Sequence, residues 1–191
     1  MEYYQPSITE KSFKILQDLK RQHTFILIGG WAVYVYSHAL KSKDIDIVVD
    51  YKTLHLIKTR MNPEKNDRLR KYEVKLGEFD IDIYLPGYSK PAVPLELLSR
   101  YTTNIEGITV PTAEVLLLLK QGAEIARRGS VKGKKDLIDI LMLLIGSGFS
   151  TKKYKNLASN LSMENYVKEL ENEIKLFDPI DSDYLGINFN E

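Results

Sequence analysis

The alternation Lys43-Asp44-Ile45-Asp46-Ile47-Val48-Val49 limits this chain more than any other stretch. Successive side chains of a strand point to opposite faces, so the pattern predicts a strand with Asp44 and Asp46 on one face and Ile45 and Ile47 on the other. Two such carboxylates stand about 6.5 Å apart along the strand, close enough to lean together onto one divalent cation. The residues before it are equally constrained. Phe25-Ile26-Leu27-Ile28 is short, apolar and rich in β-branched side chains, the mark of a buried strand. Gly29-Gly30 lets the backbone turn sharply and come close to a ligand. Trp31 to Ala39 contains no breaker and predicts a helix straight after that turn. A strand, a glycine turn and a helix N-terminus form a seat for a phosphate, because free amides and the helix dipole both favour an anion. The Asp-x-Asp strand downstream offers hard oxygen ligands of the kind Mg²⁺ takes.

The remaining elements follow from pattern. Ser7-Ile8-Thr9-Glu10 matches a capping box opening a helix to about Gln22, with Phe13, Ile15, Leu16 and Leu19 as its apolar side. Thr53 to about Met61 reads as a helix capped by Asp50 and ended by the polar run Asn62–Asp67. Tyr72–Leu76 and Phe79–Leu85 both alternate around the turn Gly77-Glu78, predicting a hairpin with Asp80 and Asp82 on one face of its second strand. Either acid can supply a third carboxylate. Two cations about 3.5–4 Å apart can bridge a triphosphate, and a third acid can take the proton from an attacking hydroxyl. A prolyl loop (Pro86, Pro91, Pro94) leads to a short helix near Leu95–Arg100, then a last short strand at Ile108–Val110. Beyond Pro111 the chain turns helical: Thr112 to about Arg128, Lys135 to about Ile145, Thr151–Leu161 and Met163–Lys175, with a loosely ordered tail from Asp178. The fold class predicted is α+β: a small mixed sheet flanked by helices, with a helical C-terminal half. Residues 1–111 would form the α/β core, and 112–191 a helical region packed on it.

Composition excludes several classes. No cysteine is present, which removes disulfides, thiol chemistry and cysteine-bound zinc. The start MEYYQPSITEK has no apolar leader and no segment is long and apolar enough to span a bilayer, so a cytoplasmic protein with no membrane association is expected. The charge of +1, from 27 basic against 26 acidic residues, disfavours bulk attraction to duplex nucleic acid and leaves local recognition open.

Gly29-Gly30, then Asp44-Ile45-Asp46, then a carboxylate within Phe79–Leu85 resembles the DNA polymerase beta-type nucleotidyltransferase superfamily over residues 24 to 85. The helical half extends the likeness. Lys120 in a leucine-rich helix, followed by Lys134-Lys135-Asp136-Leu137-Ile138-Asp139-Ile140, is similar to the AbiEii-like branch, which includes nucleotidyltransferase toxins of toxin–antitoxin pairs, some of which modify tRNA. The resemblance implies transfer of NMP from an NTP to an acceptor, an RNA (tRNA) or a protein hydroxyl, in a protein that could be the toxin beside an antitoxin-type partner. It implies Asp44, Asp46 and Asp82 as catalytic and metal-binding residues for Mg²⁺ or Mn²⁺, with Asp80 as the alternate third acid. Lys120 would be a phosphate contact. Gly29, Gly30, Lys43 and Asp136 would line the nucleotide site, with Gly29 and Gly30 on the phosphates and Asp136 as an auxiliary polar group. The turn is Gly-Gly where the family also uses Gly-Ser, so a serine hydroxyl is missing.

Plainer readings stand beside these. A glycine pair after a strand is usually a turn, and an Asp-x-Asp strand is often a solvated edge. Lys120 can snorkel from an apolar helix, and Asp136 can serve the helix dipole alone. His23, His38 and His55 lack ligand partners at helical spacing, Trp31 and Tyr34 read as core, and the cluster Arg127, Arg128, Lys132, Lys134 and Lys135 reads as a solvated face or a contact for an RNA backbone or a triphosphate. The rival to an enzyme is a non-catalytic nucleotide-sensing or partner-binding module on the same fold.

Overall fold

In the computed structural model, which describes residues 5–146 and 148–175, the apolar and carboxylate faces separate as the alternation dictates. The chain runs α1 (Pro6–Gln22), β1 (Ile26–Ile28), α2 (Gly29–Ser37), β2 (Ile45–Val48), α3 (Tyr51–Lys58), β3 (Glu64–Asn66), β4 (Lys71–Lys75) and β5 (Asp80–Tyr84). It continues through α4 (Leu95–Leu98), β6 (Thr102–Ile105), β7 (Ile108–Pro111), α5 (Ala113–Arg127), α6 (Val131–Gly146), α7 (Thr151–Asn160) and α8 (Glu164–Lys175). A five-stranded mixed sheet has the order β1-β2-β5-β4-β3, and β6-β7 forms a separate ribbon. This is the predicted α+β class.

One pairing positions everything else. β2 and β5 run parallel, with Asp46 opposite Asp82 and Ile45 opposite Ile81. Ile45, Ile47, Ile81 and Ile83 are buried at 0%, 0%, 1% and 0% exposure, so burial of this aliphatic face commits the carboxylates to the other. The apolar cluster includes residues of both halves of the chain, from Leu16 through Val115–Leu118 and Ile140 to Met163. Trp31, fully buried, donates its indole N–H to Ser12 Oγ at 2.9 Å, which places it in the core.

Several boundaries differ from the sequence reading. α1 starts at Pro6 with Gln5 at the N-cap and no side-chain cap, so Ser7 and Glu10 lie inside the helix. Proline at the first helical position has its φ preset and no N–H to satisfy, which overrides the capping box. α2 begins at Gly29 itself and ends at Ser37, where His38 turns left-handed (φ 53°). Two strands went unseen. β3 lies inside the polar run Asn62–Asp67 and pairs with the edge of β4. β6 pairs with β7 through Glu106-Gly107, both at positive φ (52° and 74°), a two-residue hairpin turn with an unusual first residue. Asp50 does cap α3, accepting from Thr53 N–H at 2.6 Å. α6 starts at Val131, within the stretch read as loop. The tail from Asp178 lies outside the described residues.

At the far side, α8 is tied to α5 by a buried polar chain. Tyr154 OH donates to Gln121 Oε1 at 2.7 Å, and Gln121 Nε2 donates to Glu173 Oε2 at 2.8 Å. Among the described residues no helix is long and apolar enough to cross a membrane.

Candidate active site

The carboxylate face of β2 and β5, the first turn of α2, and the facing sides of α5 and α6 enclose a cleft of about 360 Å³. Gly29, Gly30, Asp44, Asp46, Asp82, Lys120 and Asp136 all line it. Asp80 and Lys43 do not. Asp80 meets the site through its backbone, its N–H donating to Asp44 Oδ1 at 3.1 Å. Lys43 holds its ammonium 3.8 Å from the same oxygen and is one-third exposed.

The glycine turn is shaped around Asp46. Gly29 has φ +68°, and a Cβ there would fall 2.1 Å from Asp46 Oδ2, so conformation and space both require glycine. A Cβ on Gly30 would fall 2.7 Å from Ser42 Oγ and 2.9 Å from Lys135 Nζ. α2 has no side-chain cap, which leaves its first amides free to meet an anion in the cleft.

The carboxylates crowd one another. Burial first, then the charge of Asp46, holds the Asp82 carboxyl above the usual range, while Lys71 works against that rise. Burial likewise raises Asp46, with Lys120 pulling it down and Asp44 pushing it up. Tyr84 donates its hydroxyl to Asp46 Oδ1 at 3.3 Å, and burial followed by the charge of Asp46 keeps that phenol well above its usual range. Lys71 Nζ lies 2.5 Å from Asp82 Oδ2 and 2.9 Å from Glu73 Oε1.

The opposite wall is a buried ionic lattice in which Asp139 Oδ1 has no hydrogen-bond partner among the described residues. Lys120 Nζ is 2.6 Å from Asp139 Oδ2 and 3.1 Å from Asp136 Oδ1. Arg127 holds Asp136 at 2.6 Å, and Lys135 holds Asp139 at 3.0 Å. Lys120 therefore does not snorkel: its side chain is 8% exposed and those of its two aspartates 1% and 0%. Burial opposes its charge, but Asp139 and then Asp136 outweigh that and hold the ammonium above the usual lysine range. Asp136 is likewise an ion-pair partner inside the cleft wall, beyond any service to the helix dipole.

Sequence reasoning missed Lys71, Tyr84 and Ser42 as parts of this site; it named Arg127 and Lys135 in a basic cluster and Asp139 in the segment after Lys134, without the ion pairs that join them. Tyr84 continues the Asp80, Asp82 alternation onto the same face, and Lys135 and Asp139 are an i, i+4 pair; both signals were readable. Lys71 needed the hairpin register, in which Glu73 lies opposite Asp82.

The donor set is chemically suited to a hard divalent cation. Among the described residues Asp82 Oδ1 is buried without a hydrogen-bond partner, an oxygen left over for such a ligand. As they lie, no three carboxylate or imidazole side chains among the described residues are gathered to hold a metal ion. Asp44 Oδ1 is engaged by the Asp80 amide and Asp82 Oδ2 by Lys71.

No protein-family model matches the chain, and no curated protein matches it. Solved structures do. The chain is similar to the antibiotic-resistance factor ANT(2'')-Ia in its solution structure, with 13% identity, TM-score 0.54, and coverage of 90% of this chain and 98% of that one. It is similar to the crystal structure of ANT(2'')-Ia in complex with adenylyl-2''-tobramycin, with 15% identity, TM-score 0.52, and coverage of 82% and 97%. An antigenic nucleotidyltransferase-like protein from Paracoccidioides brasiliensis aligns at 18% identity over 88% of this chain and 92% of its own, with TM-score 0.46. The two ANT(2'')-Ia structures carry the assignment, and what they establish is the fold: this chain has a nucleotidyltransferase-type architecture.

Proposed function

We propose that the protein is a divalent-cation-dependent nucleotidyltransferase that moves NMP from an NTP to a hydroxyl or phosphate acceptor and releases pyrophosphate. One observation carries this reading: Asp46 of β2, Asp44 just before it and Asp82 of the parallel β5 open on the same cleft as the uncapped start of α2. Likeness in fold to ANT(2'')-Ia, whose complex holds an adenylylated tobramycin, supports transfer of a nucleotidyl group without naming the acceptor.

In this reading the free amides of Gly29 and Gly30 seat the triphosphate, whose charge faces Lys120, Lys135 and Arg127 across the cleft. Those cations are fixed by Asp136 and Asp139, so they meet the phosphates already positioned. Tyr84 orients Asp46. Asp44, Asp46 and Asp82 would hold Mg²⁺ or Mn²⁺, which supplies neutralisation of phosphate charge as it builds on the leaving oxygen. Asp82, as the third acid of the cleft, is also placed to accept a proton from the attacking group. The Lys120 and Lys135-Asp136-Leu137-Ile138-Asp139 pattern supports an AbiEii-like role, with RNA or a protein hydroxyl as acceptor and an antitoxin-type protein as partner.

A second reading, a non-catalytic nucleotide-binding module, is favoured by the engagement of Asp44 and Asp82 with partners inside the protein. Incubation with each α-³²P-labelled NTP and Mg²⁺, followed by separation of RNA, protein and small-molecule fractions, decides between them. Label in one fraction, absent with Asp46→Asn, supports the enzyme. Cation-dependent NTP binding with no pyrophosphate from any acceptor pool supports the module.

A further inference from the structure

Lys71 is a lysine with two carboxylates and almost no water. Its side chain is 12% exposed, and its ammonium bridges Asp82 Oδ2 at 2.5 Å and Glu73 Oε1 at 2.9 Å. The hairpin builds this contact. β4 and β5 pair antiparallel with Glu73 opposite Asp82, so Lys71, two residues along β4, shares their face and reaches Asp82 diagonally.

We infer that Lys71 is a resident counter-cation, displaced from Asp82 when a divalent ion enters the cleft, and that it thereby sets the cation concentration at which the site fills. The inference rests on the reading of Asp44, Asp46 and Asp82 as the cation-holding set. Two crowded carboxylates on adjacent strands need a positive charge nearby, because an uncompensated buried charge is costly. Lys71 provides it in the absence of metal. The structure also provides for its departure. Glu73 remains as a partner for the displaced ammonium and is itself held by Asn66 Nδ2 at 3.2 Å. Asp82 Oδ1 is already buried and has no hydrogen-bond partner among the described residues, so Asp82 can turn to an incoming ion with its second oxygen in place. Cation affinity at this cleft is then a difference, the cation–carboxylate attraction less the Lys71–Asp82 contact it replaces.

Manganese binding to the full chain, followed by electron paramagnetic resonance of free Mn²⁺, tests this. Lys71→Met removes the charge and keeps the length; Lys71→Arg keeps the charge. Lys71→Met should lower the Mn²⁺ dissociation constant at least about tenfold, equal to about 1.4 kcal/mol, and Lys71→Arg should stay within about threefold of wild type. A merely structural lysine would weaken binding in the Met variant. If Lys71→Met does not fold by circular dichroism, Lys71→Gln, which retains a polar reach to Asp82, should tighten binding in the same direction. Unchanged or weaker Mn²⁺ binding in the folded neutral variant, with wild-type binding still abolished by Asp46→Asn, overturns the inference and leaves the cation site standing. Absence of Asp46-dependent Mn²⁺ binding in both wild type and Lys71→Met removes the site itself, and the inference with it.

Discussion

Replacing Lys120 with methionine separates a buried ionic lattice from a snorkelling side chain. Methionine nearly matches the lysine stem in length, so the change removes charge rather than volume. Lys120 lies 2.6 Å from Asp139 and 3.1 Å from Asp136, and both aspartates are almost fully enclosed. Breaking a buried pair by removing one partner costs about 3–5 kcal/mol, because a charge is left uncompensated. Here Asp136 retains Arg127 and Asp139 retains Lys135, which places the expected loss near the lower end, about 3 kcal/mol. Urea unfolding at pH 7, with linear extrapolation to water, reads it directly. The double variant Lys120→Met, Asp139→Asn should not recover the loss, since Asp139 still holds Lys135 at 3.0 Å and its neutralisation leaves that buried ammonium without its carboxylate. A Lys120→Met protein within about 0.5 kcal/mol of wild type, the range of an ordinary surface substitution, would refute the lattice.

Two further outcomes follow from the geometry. Gly29→Ala should cost about 1–2 kcal/mol from the left-handed backbone alone. Because its Cβ would meet Asp46 Oδ2 at 2.1 Å, it should also weaken Mn²⁺ binding; equal stability and equal binding would contradict the cradle. Burial, opposed by Gln121 and reinforced by Glu124, pushes the Glu173 carboxyl up to about 7. Its folded value lies above the unfolded one, so the folded state binds the extra proton. The stability it contributes is present below the unfolded value and lost as pH rises through about 7. Urea unfolding between pH 5 and 8 should show a fall of about 1–2 kcal/mol that Glu173→Gln flattens; an unchanged slope in that variant would assign the fall elsewhere.

The site's strands were legible because period-two alternation is a local property. Asp44, Asp46 and Asp82 could be placed on carboxylate faces from sequence, and burial of Ile45, Ile47, Ile81 and Ile83 reproduces that division. The choice between Asp80 and Asp82 was not local. It depends on the β2–β5 register, which puts Asp82 beside Asp46 in the cleft and leaves Asp80 touching Asp44 through its amide. Lys71 was hidden for the same reason: a diagonal contact across a hairpin has no sequence period. Lys120 stood between a phosphate contact and a snorkelling side chain, because the sequence does not show that Asp136 and Asp139 of α6 enclose it. β3 formed in a polar run because backbone pairing at a sheet edge does not need apolar side chains.

Isothermal titration of wild type and Asp46→Asn with a non-hydrolysable NTP analogue, with and without Mg²⁺, decides whether the cleft is a nucleotide–cation site. Binding should require Mg²⁺ in wild type and fall at least about tenfold, about 1.4 kcal/mol, in the variant while its circular dichroism is unchanged. Equal, Mg²⁺-independent binding in both proteins would show that the carboxylates of β2 and β5 do not form a nucleotide–cation site.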